Sequence, residues 1–215
     1  MGLPMEAWLV YDIPVVGTNI KTRKDLVRNA ADLELVSLAQ AGCLDSFEEL
    51  VRRYRNDVFR LAYHYVRDRE EAWDLSQEVF IKVYRSLGRF RGEANFKTWV
   101  LRISANQCKD YFKRRRLKTV AFDEHIGVET PCNVIEPGRA ALAGEIGDAI
   151  QAALGKLSHK HRTAFVLREF EGLSYEEMSQ VMQCSVGTVM SRLHHARKKL
   201  QQALIRMGIV EEPGS

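Results

Sequence analysis

Apolar side chains return at steps of three and four along most of this chain, and no segment sustains a period of two. Such stripes are buried by packing helix on helix, so the expected fold class is all-α, arranged as two small helical domains. Phe47, Leu50, Val51, Tyr54, Val58, Leu61, Ala62 and Tyr65 form one stripe, opened by Ser46 and Glu49 at capping-box spacing. Asp68 and Glu71 open a second helix, with Leu75, Val79, Phe80, Val83 and Leu87 inward and a break at Gly88 and the Phe90–Glu93 stretch. A third helix is predicted from Asn95 to Leu117, and a short one over Asp32–Ala41 precedes them.

The periodicity fails from Thr119 to Gly138. Pro131 and Pro137 fall there with Asp123, Glu124, Glu129 and Glu136 and without Lys or Arg, which is the composition of a tether. About twenty residues reach roughly 65–70 Å when extended, enough to cross two turns of duplex DNA. Helical pattern resumes at Arg139 and runs to Arg206. The expected layout is an unassigned extension (1–29), a helical domain (30–117), an acidic linker (118–139), a second helical domain (140–206) and a tail (207–215).

Composition narrows function mainly by exclusion. The net charge is only +4, so the distribution of charge has to carry any argument for nucleic acid. Cys43, Cys108, Cys132 and Cys184 form no CxxC pair and read as buried or incidental thiols in a reducing compartment. A role for Cys132, in the tether, in oxidant sensing stays open. His159 with His161, and His194 with His195, lack Cys or carboxylate neighbours at ligand spacing, so neither a metal nor a cofactor is expected. The apolar Trp8–Val16 stretch is interrupted by Asp12 and Pro14 and has no basic flank, so a signal peptide or membrane span is not expected and the chain is placed in the cytoplasm. No phosphate-cradling glycine loop or nucleophile–base pair is visible, and an enzyme is not expected.

The third helix carries two opposed faces. With Trp99 at 0° and about 100° per residue, Asn106, Lys113, Arg102 and Lys109 fall near 340°, 320°, 300° and 280°. Val100, Leu101, Ser104, Ala105, Cys108, Tyr111 and Phe112 occupy roughly 100–240°. The predicted solvent face thus presents an indole, an amide and three cations, extended by Arg114, Arg115, Arg116 and Lys118. Bases stack on exposed aromatics while cations neutralise phosphate, so this face suits single-stranded DNA. Asn106 can read a base edge. Asp110 fits poorly beside phosphate and is expected to brace Arg114 one turn on. The preceding loop, with Phe90, Arg91, Asn95 and Phe96, is suited to walling a pocket for an extruded base.

Near the C-terminus Ser174 and Glu177 form a capping box, Met178, Val181 and Met182 a short stripe, and Ser185 a second cap. Val189, Leu193, Ala196 and Leu200 line the inner face of the following helix. Two short helices with a three- to four-residue turn make a helix-turn-helix. Five Lys or Arg and no Asp or Glu lie between Val186 and Arg206. The outer face shows Ser185, Thr188, Ser191, Arg192, His195 and Lys199, with Arg192 the expected guanine reader and later cations on phosphate.

These motifs together resemble the sigma factors of bacterial RNA polymerase, of the small extracytoplasmic-function (group 4) type in the sigma-70 family. The segment Asp74-Leu75-Ser76-Gln77-Glu78-Val79-Phe80 resembles the polymerase-binding part of region 2, and Phe96 to Asn106 with Asp110, Arg114 and Arg115 the promoter-melting part. Gly172 to Glu177, Gly187 to Leu193 and Ala196-Arg197 resemble region 4. The resemblance implies that Asp74, Gln77 and Glu78 face the clamp helices of the largest polymerase subunit. It implies that Phe90, the following loop and Asn106 hold a flipped −10 base, and that Trp99 supports strand separation. Region 4 would bind the −35 duplex and the polymerase beta flap while the linker threads the polymerase channel. An anti-sigma partner and a role in stress response are implied too. Ser158 and His195 depart from the family's usual proline and arginine, which puts one −35 contact in question. A conventional helix-turn-helix repressor or activator, binding duplex operator alone, would account for residues 174–206 but not for the opposed-face helix or the tether.

Overall fold

A computed structural model of the protein describes residues 27–120 and 141–210, without the side chains of 115–120, 141–146 and 148. Most of the N-terminal extension, nearly all of the acidic linker with Cys132, the end of the tail and the side chains of Arg115, Arg116 and Lys118 lie outside the described residues. Every regular element described is helical. The chain divides into a unit ending at Leu50 and a second from Val51 onward.

In the first unit, α1 (Asp32–Gln40) has Asp32 and Glu34 in its first turn, where acidic side chains complement the helix dipole. Gly42, at φ +96°, ends it, and the Cys43 N–H donates to the Leu38 carbonyl at 2.9 Å. The next helix, α2 (Leu44–Val66), begins two residues before the expected Ser46 cap. Ser46 is fully buried inside that first turn, its hydroxyl donating to Cys43 Sγ at 3.3 Å, so it caps nothing.

In the second unit, α3 (Arg69–Ser86) is capped as expected, Asp68 accepting from the Glu71 N–H at 2.8 Å. A 3-10 turn, Leu87–Arg89, ends it. The long helix α4 (Phe96–Val120) starts at Asn95, whose Oδ1 accepts from the Thr98 N–H at 2.6 Å. Leu61, Ala62 and Tyr65 of α2 close a core with Leu75 of α3 and Leu101, Ala105 and Cys108 of α4.

Four further helices follow: α5 (Ala141–Gly155), α6 (His159–Glu169), α7 (Tyr175–Met182) and α8 (Val186–Arg206). Both expected caps are present: Ser174 and Glu177 form the reciprocal box on α7, and Ser185 accepts from the Thr188 N–H on α8. Between them Gln183 adopts the left-handed region (φ 51°, ψ 51°), which gives the sharp turn its angle. Ala153, Leu154, Ala196 and Leu200 fasten α5 to α8. The packing of α4 against α7 joins the two bundles, and Leu167, Met178, Val181 and Leu193 share the core of Leu101 and Ala105.

Arg162 is buried at this junction. Its guanidinium donates to the carbonyls of Leu154 (2.9 Å), Gly155 (2.7 Å), Leu157 (3.5 Å) and Tyr65 (3.2 Å). It thereby satisfies the carbonyl end of α5, which has no partners within its own helix.

Candidate nucleic-acid interface

The loop and first turn of α4 differ from the expected picture. Trp99 is only 8% exposed, with Phe90 also at 8% and Phe96 at 2%. The three rings pack on one another, their centroids 5.1 Å (Phe90–Trp99), 5.7 Å (Phe96–Trp99) and 5.6 Å (Phe90–Phe96) apart. The indole is therefore not a solvent-facing platform, and no base can stack on its face in this conformation. The reason is local wrapping. Phe96, Thr98, Trp99, Val100 and Leu101 are all buried, and at 100° per residue they point in every direction around the helix. A single helical projection merges that enclosed first turn with the half-exposed turns beyond it.

From Arg102 onward the opposed faces are present. Asn106, Lys109 and Lys113 are exposed and Arg102 half-exposed, while Ser104, Ala105 and Cys108 are buried behind them. Arg91 and Asn95 are exposed in the loop. Asp110 does not brace Arg114, which turns to Glu78 of α3 at 3.6 Å. Glu78 also accepts from Gln107, a buried amide that in turn accepts from Lys82. The sets expected to face polymerase and DNA thus share an exposed ion pair, which is worth little in water and is easily exchanged.

Asp74, Gln77 and Glu78 lie exposed on the outer face of α3. Sequence reasoning missed their apolar neighbours: Trp73 (54%), Ile81 (50%) and Tyr84 (51%) are exposed beside them. Their spacing of eight and three residues was legible as a second stripe opposite Leu75 and Val79. An exposed apolar patch rimmed by polar groups is the mark of a partner surface.

On α8, Ser185, Ser191, His195 and Lys199 are exposed and Thr188 half-exposed. Ser185 and Thr188 engage each other, Oγ to Oγ1 at 2.9 Å, and His195 donates from Nδ1 to the Ser191 carbonyl at 2.7 Å. Arg192 is half-exposed and donates to Cys184 Sγ at 3.4 Å, so the turn cysteine orients the expected base reader. His161 on α6 was not foreseen in this group. Its ring lies parallel to that of His195 at 5.9 Å. Burial, then the nearby Lys199, His195 and Arg192, pushes its pKa down.

A second polar group ties the bundles together. Arg60 of α2 donates from Nε and Nη2 to the two carboxylate oxygens of Glu171, both at 3.1 Å. Lys97 of α4 approaches that carboxylate at 3.7 Å and Asp57 at 3.8 Å. Burial pushes the Glu171 carboxyl up, while the Arg60 hydrogen bonds oppose that. Asn95 donates to Glu177 of α7 at 2.7 Å. The Glu177 carboxyl is held below its usual range, chiefly by the Ser174 backbone N–H.

Two helical bundles, one with a basic half-exposed helix and the other with a capped helix-turn-helix, define a DNA-binding transcription protein, and comparison with known proteins gives the class. Residues 50–118 match sigma-70 region 2 and residues 147–200 match sigma-70 region 4. The RNA polymerase sigma-H factor of Pseudomonas aeruginosa is 40% identical over 180 residues, covering 80% of this chain and 93% of that one. The ECF RNA polymerase sigma-E factor of Haemophilus influenzae is 36% identical, covering 83% and 98%. The solved sigma factor RpoE of Bartonella quintana, in complex with the anti-sigma factor NepR, superposes with a TM-score of 0.60 at 26% identity, covering 74% and 96%. The chain belongs to the extracytoplasmic-function sigma factors of the sigma-70 family. As such it binds core RNA polymerase, directs it to specific promoters and helps melt the −10 element.

Proposed function

We propose that the two bundles divide promoter recognition as follows. Residues 30–117 engage the polymerase and the −10 element, residues 140–206 read the −35 duplex, and the linker (118–139) runs between them. Asn106, Lys109, Lys113 and Arg102, continued by Arg114 and Arg115, track the −10 strand, while Arg91, Asn95 and the loop receive its extruded base. Phe90, Phe96 and Trp99 back that loop from beneath. The observation that carries this reading is the row Asn106–Lys109–Lys113, exposed on a helix whose other side is core.

At the other end Ser185, Thr188, Ser191, Arg192 and His195 approach base edges, and Lys199 lies toward phosphate. Asp74, Gln77 and Glu78, with Trp73, Ile81 and Tyr84, form the face for the clamp helices of the largest polymerase subunit, and region 4 meets the beta flap. The Bartonella relative was solved with an anti-sigma factor, and we take a protein of that kind to hold this chain inactive in the cytoplasm. Catalysis belongs to the polymerase. No described helix is long and apolar enough to cross a membrane.

The division is tested by permanganate footprinting of open complexes alongside −35 occupancy. Asn106→Ala should reduce melting while −35 occupancy persists. Arg192→Ala should weaken −35 recognition by about 1–3 kcal/mol and relax base preference at one position. Equal losses in both assays for both variants would contradict the assignment.

A further inference from the structure

His195 stands in the third turn of α8 with one of its two ring nitrogens already committed. Its Nδ1 lies 2.7 Å from the Ser191 carbonyl, and a carbonyl only accepts, so Nδ1 carries a proton in either charge state of the ring. What this exposed side chain offers a partner therefore rests on Nε2. In the neutral ring Nε2 is an acceptor, and in the charged ring it is a donor. An arginine at the same place would donate at every pH.

In the major groove those two states ask for opposite partners. An acceptor suits the exocyclic amino group of cytosine or adenine. A donor suits the ring-edge acceptors of guanine or thymine. Cytosine set against guanine at one position is the sharpest contrast.

The surroundings leave the charge on His195 to be met from outside. His161 of α6 lies parallel to the ring at 5.9 Å, with its Nδ1 buried and without a partner among the described residues. Burial, then Lys199, His195 and Arg192, lowers the His161 pKa, so it is the neutral member of the pair. The other groups on this face are basic: Arg192, His194 and Lys199 of α8, with Lys156 of α5 lining a recess with Lys199. From α7 comes Cys184, which accepts from Arg192. Glu169, the acidic residue of α6, is turned to Arg197 on the opposite flank of α8 at 2.6 Å. Promoter DNA supplies the negative charge.

We propose that His195 is a proton-gated specificity residue: neutral, it selects an amino-bearing base at one −35 position, and protonated, it selects a base that offers an acceptor. The inference rests on the assignment of α8 to the −35 element. Sequences that present an acceptor bind with uptake of a proton, so they gain as pH falls, and sequences that present an amino group gain as it rises.

The test is run-off transcription by the full chain with core enzyme over promoters randomised through the −35 element. It is run at about pH 6 and about pH 8, which span the range where histidine titrates. Base ratios are taken within each pH, so a general effect of pH on the polymerase cancels. Wild type should change its cytosine-to-guanine ratio at one position by about fivefold or more, with the other positions constant. His195→Arg, a donor throughout, should show the wild-type low-pH ratio at both pH values, and His195→Ala should lose the preference at both. His161→Phe keeps an aromatic ring without a titrating group and should keep the switch. Preferences at the remaining positions report that each variant is folded. Identical wild-type ratios at both pH values would overturn the proposal, as would a switch that persists in His195→Arg or disappears in His161→Phe. Wild type with no base preference at any −35 position would instead overturn the assignment of α8 itself.

Discussion

Replacing Trp99 with alanine separates an enclosed indole from an exposed one. The ring is 8% exposed and packs on Phe90 and Phe96. Truncating a buried Trp to Ala generally costs about 3–5 kcal/mol, through lost transfer energy and the cavity that remains. Two aromatic neighbours add about 0.5–1.5 kcal/mol each. Phe90 carries the loop and Phe96 opens α4, so a cavity there gives way by collapse of the loop, and the expected loss lies near the lower end of the sum, about 4–5 kcal/mol. Urea titration followed by circular dichroism measures it. Trp99→Phe keeps most of the contact and should cost under half as much. Open-complex formation by Trp99→Ala should fall in parallel with this loss, and low temperature, which restores the fold, should restore part of it. An unchanged unfolding midpoint with melting abolished would refute the enclosed ring and reinstate a solvent-facing platform.

Other perturbations probe neighbouring parts of the structure. Gln183→Gly should stabilise the chain by about 0.5–1 kcal/mol, because only the glycine adopts the left-handed turn without strain, and promoter choice should not change. A lower denaturation midpoint for that variant would contradict the turn geometry. Arg162→Met keeps bulk but removes the donors to four carbonyls and should cost about 2–4 kcal/mol by the same titration, with an effect under 0.5 kcal/mol contradicting its capping role. The His159 ring lies beside Tyr65 with Nε2 buried and unpartnered among the described residues, and burial, then Arg162, Lys109 and Lys160, lowers its pKa to about 4. A histidine whose folded pKa lies below its unfolded value of roughly 6.5 stabilises fully above that value and loses its contribution as pH falls toward 4. Stability should therefore decline over that window and His159→Phe should flatten the decline; an unaltered slope would contradict a neutral, enclosed ring.

Local signals are legible in the sequence. Asp68, Ser174 with Glu177 and Ser185 cap the helices they were expected to cap, because a cap depends on three or four consecutive residues. Ser46 and Glu49 have the same spacing yet lie inside α2, since Gly42 turns the chain early enough for the helix to start at Leu44. Trp99 was misplaced for a related reason: a helical projection sees only one helix, and the Phe90 loop that encloses the ring belongs to another segment. Arg60 and Glu171 are 111 residues apart, and no local pattern joins them. His161 stands beside His159 in the sequence, whereas the ring it faces, His195, lies on a different helix. The outer stripe of Trp73, Ile81 and Tyr84 was visible in spacing, but the capped inner stripe accounted for α3 without it.

Initiation by purified core polymerase over a randomised promoter library is the direct test of what this chain does. With the chain present, transcripts should start at defined positions downstream of two enriched elements about 25 base pairs apart. Tight sequence-specific binding to duplex DNA by the chain alone, with no new start sites when core enzyme is added, would contradict it.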